Sequence, residues 1–414
     1  MSGPSRSAAA SGPWAVIVPF RNEALVLRRR IANLARLEWP SLLGRGGEPT
    51  PPHCVIFVDD GSTDASAALA VEVLEEVFPS VARSTRGRNV RALVLRNEGA
   101  PGKAGAVRTG LACARELGAC FVALTDADVI VDAAALQASE ASLAAGNALV
   151  CARQRFVASL GDEGTARDVD GGAVRPRGDV YDRATAAVRA VESRFGALFS
   201  VHGQWLCWRL SDGLAPTPGL AADDLDLMFQ ARSRGGRVAL APTHFYEVKT
   251  PGPQARAQGL RRARAYFQVV AKASGRKRPL GPGMGSRLQW WAYRIGPRWF
   301  PRSVGVASVG LAGIGILLLS RASWTMAALG AVVLLLLAGF AARRPRVRRV
   351  LQLLSWMEEA RRLPGQHAGD RWEMGRDLGR EMGRDMGREM QRERKREMPR
   401  GVTSIGPRTS GEHG

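Results

Sequence analysis

Short apolar runs alternate with segments of helical spacing through the first third of the chain. The runs have the length of buried strands, and polar or glycine-rich residues follow each of them. The segments between them carry apolar residues every three or four positions, as amphipathic helices do. Strands alternating with helices predict an α/β domain with a mainly parallel sheet. The predicted strands are Trp14–Pro19, Val55–Val58, Val90–Leu95 and Phe121–Leu124; the predicted helices are Glu23–Leu37, a stretch from Asp64 as N-cap to Val77, and a stretch from the Gly99–Gly105 loop to Leu117.

The same alternation continues to about residue 275, which bounds a predicted domain at residues 13–275. Residues 158–180 are polar, acidic and glycine-rich, and they predict a mobile insertion. Proline and glycine at residues 276–285 mark the end of the domain. The further predicted strands are Leu149–Phe156 and Val238–Leu240, and the further predicted helices are Ala133–Ala145, Tyr181–Phe199, Asp224–Arg234 and Gln258–Ala273.

Two uncharged, mostly apolar segments follow the domain, at residues 304–320 and 324–342. A helix needs roughly 20 apolar residues to cross the hydrocarbon core, with about 17 near the lower limit. The segments therefore predict two transmembrane helices, preceded by an interfacial segment at residues 286–303. Arginine-rich outer flanks predict a cell-membrane protein with its α/β domain in the cytoplasm, by the positive-inside rule. Arg321 between the segments leaves open a single amphiphilic or re-entrant segment.

The formal net charge of +21 is typical of proteins that bind nucleic acid or an anionic membrane. The arginines gather on both sides of the apolar segments, and few aromatic residues lie among them, so the pattern favours a membrane and argues against nucleic acid. Residues 343–365 are predicted to form a basic cytoplasmic helix. The five cysteines include no CxxC pair and indicate neither a disulfide framework nor a zinc site.

Both ends of the chain are predicted to be disordered. Residues 1–12 are a lead of serine, alanine and glycine, and residues 366–414 carry a four-residue repeat with a glycine in each unit. Such a repeat drifts around a helix of 3.6 residues per turn, and each glycine costs about 1 kcal/mol relative to alanine. A frayed helix, an interaction tail and a brush on lipid headgroups remain open for this low-complexity tail.

Carboxylates cluster where two predicted strands end. Asp59 and Asp60 follow the second strand, where they can accept hydrogen bonds from a base N–H or a ribose hydroxyl. Asp126 and Asp128 follow the fourth strand and share one face of an extended segment. Ligands bind beyond the carboxyl ends of the strands in an open α/β sheet, and crowded carboxylates there suit Mg²⁺ or Mn²⁺. The pattern predicts a divalent cation held by Asp126 and Asp128, and a nucleotide-linked donor that also contacts Asp126.

Further candidate donor-binding residues lie in two turns. Pro19, Arg21 and Glu23 lie in the turn after the first strand, where a base or ribose binds in a nucleotide-binding sheet. Lys103 and Arg108 can contact donor phosphates, although each can equally be an exposed cation. The residues around Lys103 do not form a Walker A loop, because the GxxxxGK[ST] pattern fails.

Asp223 and Asp224 begin a predicted helix. Carboxylates there are stabilised by the helix dipole, and Asp224 can also act as the general base that removes a proton from an acceptor hydroxyl. Asp223 would then lie on the acceptor side. Arg264, in a basic helix, suits phosphate oxygens, although that helix can equally lie on anionic lipid headgroups.

Three residues near position 203 are candidates for an acceptor pocket: His202, Gln204 and Trp205. A lone histidine is more often structural, so a structural role for His202 also remains open.

The order and spacing of these motifs over residues 13–270 resemble family 2 glycosyltransferases of the GT-A fold. The carrying motifs are Pro19 to Glu23, Asp59-Asp60-Gly61-Ser62, Gly102-Lys103-Ala104, Asp126-Ala127-Asp128 and Asp223-Asp224. The resemblance implies a Rossmann-like nucleotide-sugar-binding domain and an inverting transfer from a UDP-sugar or similar donor. It also implies a uracil contact for Asp60 and the role of base for Asp224. With the apolar segments included, the chain looks most like membrane-anchored relatives of cellulose, hyaluronan and poly-N-acetylglucosamine synthases.

The chain departs from the processive synthases in its acceptor motifs. They carry Thr-Glu-Asp where this chain has Ala222-Asp223-Asp224, and Gln-x-x-Arg-Trp where only Arg264 matches. Two membrane helices are also too few for an obvious polymer channel. The expected reaction is therefore transfer of one sugar to a lipid-linked or short glycan acceptor.

Two alternatives remain open. A nucleotidyltransferase could use the same sheet and metal, although Phe20-Arg21-Asn22-Glu23 stands where its glycine-rich basic loop belongs. A membrane-anchored scaffold without activity is the other, and the four carboxylates at Asp60, Asp126, Asp128 and Asp224 argue against it.

Overall fold

The computed structural model describes residues 12–42, 51–78, 90–167, 180–248 and 252–295, together with the single residues 355 and 359. All of them belong to the first of two compact units, Met1–Arg371. The second unit, Trp372–Gly414, contains the predicted repeat tail and lies outside the described residues. The predicted lead up to residue 11 also lies outside them.

An eight-stranded sheet forms the centre of the domain, in the order β3-β2-β1-β4-β9-β6-β10-β5. The pairs β1–β2, β2–β3, β1–β4 and β6–β10 are parallel, whereas β9 is antiparallel to both neighbours and β5 is antiparallel to β10. The strands are β1 Trp14–Phe20, β2 His53–Asp59, β3 Val90–Arg96, β4 Phe121–Leu124, β5 Ile130–Val131, β6 Asn147–Val157, β9 Leu206–Arg209 and β10 Arg237–Val248; β7 Ser159–Leu160 and β8 Ala166–Arg167 pair separately. The predicted α/β class with a mostly parallel sheet is confirmed.

Helices cover both faces of this sheet, and the strands divide their side chains between two apolar layers. In β1, Ala15 and Ile17 belong to the layer under α3, α6 and α7, while Val16 and Val18 belong to the layer under α1, α2 and α4. This two-residue alternation is what a strand buried on both faces requires. The helices are α1 Ala24–Ala35, α2 Ser66–Val77, α3 Lys103–Glu116, α4 Ala135–Ala144, α5 Val180–Arg194, α6 Asp223–Ser233 and α7 Gly252–Ala273, and residues 284–295 are also helical.

Helix α3 lies unusually close to the sheet at Gly110. A Cβ at this position would lie 2.6 Å from Cγ2 of Ile17 and 3.3 Å from Cγ2 of Val58. The glycine therefore lets the helix axis approach β1 and β2, and this approach fixes where the N-terminus of α3 lies relative to the ends of the strands.

The strand predictions were accurate where apolar runs are uninterrupted and wrong where proline intervenes. The bounds of β4 are those predicted. Pro19 does not end β1, because its missing N–H would point towards β4, whose pairing with β1 already ends at Ile17 opposite Leu124. Strand β10 was predicted to end at Leu240; it continues past Pro242 to Val248 through a register shift between Leu240 and His244.

Other predicted boundaries also need correction. Helix α5 ends at Arg194 rather than Phe199, because the chain turns at Gly196 with a φ of 64°. Asp64 is not the N-cap of α2; Ala65 holds that position, while Asp64 accepts hydrogen bonds from the backbone and hydroxyl of Ser66. Within the predicted insertion, β7 and β8 form a small hairpin, and residues 168–179 lie outside the described part.

In the part of the chain that the structure describes, no helix combines the length and apolar character needed to cross a bilayer. The predicted membrane helices at 304–320 and 324–342 lie outside the described residues, as does nearly all of the basic segment 343–365. Of the predicted interfacial segment 286–303, the described portion is helical to residue 295.

Candidate functional site at the carboxyl ends of the strands

Hydrogen bonds join the turn that follows β1 to the turn that follows β2. Asn22 has a φ of 57°, and its backbone N–H donates to Oγ of Ser62 at 3.0 Å. Its side-chain Oδ1 accepts from the backbone N–H of Thr63 at 2.7 Å. Oδ1 of Asp59 accepts from the backbone N–H of Ser62 at 2.9 Å and from its hydroxyl. Asp59 therefore shapes the turn after β2, and Arg21 and Glu23 lie beside that turn.

Asp60 fastens the N-terminus of α3 to the end of β2. Its side chain is buried and accepts two contacts from the backbone N–H of Gly102, at 2.8 and 3.0 Å. The Asn97 amide donates to Oδ1 at 2.5 Å, and Nη1 of Arg21 lies 3.9 Å from Oδ2. Gly102 has a φ of 107°, a conformation that favours glycine. By binding Gly102, Asp60 fixes the position of Lys103, the first residue of α3. Lys103 was predicted to lie in the Gly99–Gly105 loop, and the structure places it in the helix instead.

Lys103 joins the carboxylates of two separate motifs. Its Nζ lies 2.6 Å from Oδ1 of Asp126 and 3.3 Å from Oδ2 of Asp223. Burial lowers the pKa of Lys103, but the two carboxylates outweigh burial and hold its pKa above the usual range. Oδ2 of Asp223 accepts no hydrogen bond of good geometry from the described residues. The lysine therefore brings the acids after β4 and those at the start of α6 into one site.

Acidic side chains are concentrated around Asp128. Desolvation, followed by repulsion from Asp126, raises the pKa of Asp128. Desolvation also raises the pKa of Glu23 to about 8, with further contributions from Asp128 and Asp126. On β10, desolvation raises the pKa of Glu247 to about 7, despite the opposing effect of Arg262, and Asp128 adds to the rise. Carboxyl groups from three parts of the chain thus crowd one region and disfavour each other's ionisation.

Arg30 supports the Asp126–Asp128 turn from inside the protein. It is fully buried in α1 and donates to the carbonyl of Val129 at 3.0 Å, to Oδ1 of Asn33 at 2.8 Å and to the hydroxyl of Thr125. Burial lowers its pKa to about 9, against the opposing effects of Asp126 and Asp128. A buried cation with neutral acceptors therefore fixes both ends of the acidic turn.

We expect Arg30→Leu to lower the free energy of unfolding by about 1–3 kcal/mol for each buried neutral acceptor that it leaves without a donor. Urea denaturation of the full chain measures the loss. Arg28→Leu is the matched control: Arg28 is exposed and pairs with Glu72 and Glu76 on the surface, so its loss should change the unfolding free energy by less than about 1 kcal/mol. Equal effects of the two substitutions would contradict the supporting role of Arg30.

Asp224 lies in the first turn of α6 with both carboxylate oxygens engaged. Oδ1 accepts from the backbone N–H of Leu225 at 2.7 Å, and Oδ2 accepts from that of Gly203 at 3.2 Å. Desolvation and the neighbouring Asp223 raise its pKa to about 6, although Lys103 lowers it. A Cβ on Gly203 would lie 3.4 Å from both Nζ of Lys103 and Cβ of Asp224. Asp224 is therefore half-buried beside the lysine and has the pKa of a usable general base.

The basic helix α7 places Arg261, which was not predicted as a site residue, near the acids. Burial lowers the pKa of Arg261, whereas Asp126 and Asp128 raise it, which locates Arg261 near the acidic turn. Arg262 acts electrostatically on Glu247 and His202. Nε of Arg264, the predicted donor contact, is buried and has no hydrogen-bond partner among the described residues. Arg261 is therefore a cation placed to contact phosphate groups at the acidic turn.

Two other predicted site residues make no contact with these carboxylates among the described hydrogen bonds and ion pairs. Arg108 is exposed and donates to the carbonyl of Pro216 at 3.4 Å. It lies about 140° around α3 from Lys103, so the two cannot face the same ligand from one side of the helix. Pro19 is buried within β1.

The acceptor-side candidates separate in the structure. Trp205 is fully buried in the core, and its indole N–H donates to Oγ of Ser139 at 3.1 Å, so its ring is not available to a sugar. The carbonyl of Gln204 accepts from the hydroxyl of Thr125 at 2.6 Å. His202 contacts Arg189 and Phe245, and burial with nearby Arg189 and Arg262 holds its pKa well below the usual value. Neutral His202 and Gln204 remain at the border of the site, and Trp205 belongs to the core.

The acids after β4 fit a divalent cation that is shared with a ligand. The described residues contain no group of three or more His, Cys, Asp or Glu side chains placed to hold a metal ion. Mg²⁺ and Mn²⁺ take oxygen ligands, and Mg²⁺ in phosphate-binding sites commonly takes one or two carboxylates and completes its shell with substrate phosphates and water. Asp126 and Asp128 supply that kind of partial ligand set, and burial, followed by repulsion from Asp126, raises the pKa of Asp128.

Arg30, Asn97 and Glu247 were missed as site residues. Asn97 follows β3, the third parallel strand, so the strand-end rule that selected Asp59 and Asp126 could have found it. Glu247 lies in the part of β10 beyond Pro242, where no strand was predicted. Arg30 is one of three consecutive arginines, and their pattern alone does not show which one turns inward.

Comparison with protein families shows that residues 15–189 match the model named Glycosyl transferase family 2. No curated protein matches the chain. Among solved structures, the chain is similar to the mannosyltransferase PcManGT from Pyrobaculum calidifontis in complex with GDP-Man and Mn²⁺. The two share 19% sequence identity over 86% of this chain and 90% of that chain, with a TM-score of 0.57.

Two weaker likenesses accompany it. S. aureus TarS in complex with UDP-GlcNAc shares 15% identity over 89% of this chain and 92% of that chain, with a TM-score of 0.44. Glucosyl-3-phosphoglycerate synthase from Mycobacterium tuberculosis in complex with Mn²⁺, UDP-Glc and glycerol 3-phosphate shares 17% identity over 63% of this chain and 81% of that chain, with a TM-score of 0.39. The family match and the mannosyltransferase likeness together identify a GT-A-like α/β fold.

Proposed function

We propose that this protein is an inverting, metal-dependent glycosyltransferase. It moves a sugar from a nucleotide-sugar donor, expected to be a UDP-sugar, to a lipid-linked or glycan acceptor at the cytoplasmic face of the cell membrane. The observation that carries the proposal is the meeting of Asp224, Lys103 and Asp126 at one end of the sheet. A general base, a phosphate-binding cation and a metal-binding carboxylate are the groups that sugar transfer from a nucleoside diphosphate needs.

The donor would lie across the ends of β1, β2 and β4. Lys103 and Arg261 flank the acidic turn and offer N–H groups to diphosphate oxygens. Asp60 follows β2 and Arg21 follows β1, and the two side chains lie 3.9 Å apart where the base and ribose of the donor would bind. A divalent cation held by Asp126 and Asp128 would offset the charge of the leaving diphosphate.

Asp224 would activate the acceptor. Its carboxylate takes the proton from the attacking hydroxyl while that oxygen bonds to the anomeric carbon. The bond from this carbon to the diphosphate oxygen breaks, and the nucleoside diphosphate leaves with the electron pair. Attack opposite the leaving group inverts the anomeric configuration. The hydrogen bond from Gly203 to Oδ2 holds the carboxylate in place for this step.

The pH profile of the reaction should show an acid limb. Asp224 acts only when ionised, and desolvation and Asp223 raise its pKa to about 6. We therefore expect kcat/KM to fall about tenfold for each pH unit below about 6, since this parameter reports the free enzyme. Glu247→Gln is the control, because Glu247 is the neighbouring carboxyl with a pKa raised to about 7. Loss of the limb in that variant would assign it to Glu247 instead.

Ligand binding to the full chain gives the first test of the function. We expect a nucleotide-sugar with Mn²⁺, at about 100 times its Kd, to stabilise the folded domain by about 2.7 kcal/mol and raise Tm by about 5–10 °C. UDP- and GDP-sugars are screened with Mn²⁺ and with EDTA. Mass spectrometry of the bound sample then follows release of the nucleoside diphosphate.

The outcomes separate the candidate functions. A metal-dependent shift with release of nucleoside diphosphate supports a glycosyltransferase. A shift without turnover towards any acceptor indicates an inactive scaffold. A shift with nucleoside triphosphates but with no nucleotide-sugar indicates a nucleotidyltransferase.

A further inference from the structure

Helix α5 is oriented with its polar side towards the protein. Arg189 donates to Oγ of Ser200 at 3.0 Å and also contacts His202. Oε2 of Glu192 accepts a hydrogen bond from the backbone N–H of Phe199 at 3.2 Å. The hydroxyl of Ser193 accepts a hydrogen bond from the backbone N–H of Leu240 at 2.9 Å. An ordinary surface helix directs its apolar side to the core and its polar side to water. The arrangement in α5 is the reverse.

The outward side of α5 is apolar. Val188, Val191 and Phe195 are each more than half exposed. Their spacing of three and four residues places them along one stripe of the helix and its C-terminal extension. Single exposed apolar residues are normal, but a continuous stripe on a helix with inward polar residues indicates a partner surface.

The helix at residues 284–295 repeats this arrangement. Met284, Leu288 and Trp291 are each more than half exposed and follow the spacing of a stripe. Two residues on its inward side contact the protein. Nε2 of Gln289 donates to the carbonyl of Ala197 at 2.7 Å, and the ring of Tyr293 stacks on that of Phe199 with centroids 3.7 Å apart.

The two helices are bonded to each other through Glu192. Its Oε1 accepts from Nε2 of Gln289 at 2.8 Å and from the hydroxyl of Tyr293 at 2.7 Å. These bonds engage the inward sides, so both apolar stripes remain outward. We name the two stripes together the α5 face: Val188, Val191, Phe195, Met284, Leu288 and Trp291.

Arginines border the α5 face on both helices. Arg183 and Arg194 are exposed on α5, about 60–80° around the helix from the nearest stripe residue, Val191. Arg287 and Arg294 are exposed on the second helix, about 40–60° from Trp291. An apolar stripe with guanidinium groups along its border is the pattern of a helix that lies at the boundary of headgroups and acyl chains.

We propose that the α5 face binds the surface of an anionic lipid bilayer. The arginines would contact lipid phosphates, and the apolar stripes would enter the acyl boundary. The helix at 284–295 is followed, only eight residues later, by the uncharged apolar residues that begin at 304. Eight extended residues span at most about 30 Å. If residues 304–342 enter a bilayer, the end of this helix therefore lies within about 30 Å of its surface.

A second copy of the chain fits this face less well. A symmetric contact would bring the same stripes, each bordered by arginines, against each other, and like charges at an interface oppose association. Cover by the chain's own residues 304–342 would satisfy the apolar stripes and leave the arginines without acidic partners, because those residues contain no Asp or Glu. The bilayer proposal accounts for both components, and it does not depend on glycosyl transfer.

The test uses the full chain in vesicles and measures the environment of the α5 face directly. Cys120, an exposed native cysteine, is replaced by serine. A single cysteine is introduced by Val188→Cys or Leu288→Cys and labelled with an environment-sensitive fluorophore. Leu25→Cys on α1 and Val71→Cys on α2 are matched controls, since both residues are exposed and apolar. The vesicles contain phosphatidylcholine alone or with phosphatidylglycerol, together with a spin-labelled lipid that quenches nearby fluorophores.

We expect the labels at 188 and 288 to be quenched by the spin-labelled lipid in vesicles that contain phosphatidylglycerol, and the labels at 25 and 71 to stay in water. Arg183→Gln combined with Arg194→Gln should lower the docked fraction, with about a fivefold change in the docking equilibrium per arginine.

Three results would overturn the proposal. Labels at 188 and 288 that stay in water show a free face. Labels shielded from water but not quenched show cover by residues 304–342 or by a second copy. Equal quenching in both lipid mixtures shows that the arginines do not select for anionic lipid.

Discussion

Asp224→Asn is expected to lower kcat for sugar transfer by a factor of about 10²–10⁴, the usual contribution of a general base. The amide keeps the shape of the side chain and can still accept from Gly203 or Leu225, but it cannot take a proton from the acceptor. Asp224 influences Lys103 through its charge and forms no hydrogen bond with it among the described contacts. The affinity for the nucleotide should therefore change little. Single-turnover kinetics with a bound nucleotide-sugar measure the loss, and calorimetry with the nucleoside diphosphate measures binding.

Glu116→Gln is the matched control for Asp224→Asn. It also removes one carboxylate, but from the exposed end of α3 and away from the site. We expect its kcat to equal that of the unaltered protein within about twofold. If Asp224→Asn loses nucleotide affinity to the same extent as turnover, Asp224 holds the donor or the fold, and the assignment as base is wrong.

Asp128→Asn should abolish metal-dependent turnover, with an expected loss of about 10³-fold or more, because a bound cation supplies several kcal/mol of charge stabilisation at the leaving group. The substitution also removes one of the repelling carboxylates that raise the pKa of Glu23. The apo-protein should therefore remain folded and become no less stable. Turnover is measured over a Mn²⁺ titration, and Tm is measured without metal.

The stability measurement separates two readings of Asp128→Asn. Lost turnover in a folded protein whose Mn²⁺ requirement has risen supports a metal ligand. Unchanged transfer at low Mn²⁺ would contradict the role of Asp128. A collapse of Tm would show that Asp128 is needed for folding of the acidic turn instead.

The centre of the sheet was predictable because β1, β2 and β4 are buried along their whole length. The run at Phe121–Leu124 is apolar without interruption, and β4 has the bounds that this run predicts. The same rule, applied to the residues after each strand, selected Asp60 and Asp126, which the structure places around Lys103. Local pattern was sufficient here, because parallel strands bring their carboxyl ends to the same edge.

Other features depend on contacts between distant parts of the chain. Trp205 follows polar residues and was a candidate for the acceptor pocket, yet the strand that begins at Leu206 carries it into the core against Ser139. Glu247 reaches the site only because β10 pairs with β6 beyond the register shift near Pro242. The local order of apolar and polar residues shows neither which strands pair nor which way a side chain points. The places of Trp205 and Glu247 could therefore not be predicted from that order.

The ammonium group between Asp126 and Asp223 has a consequence for the sequence of ligand binding. A free divalent ion that approaches Asp126 must compete with a positive group already 2.6 Å away. A nucleoside diphosphate brings new oxygens for Lys103 and so relieves this competition. Ion and nucleotide should therefore load cooperatively, each raising the affinity for the other by the same factor. The empty enzyme would then keep little metal of its own and acquire it together with its donor.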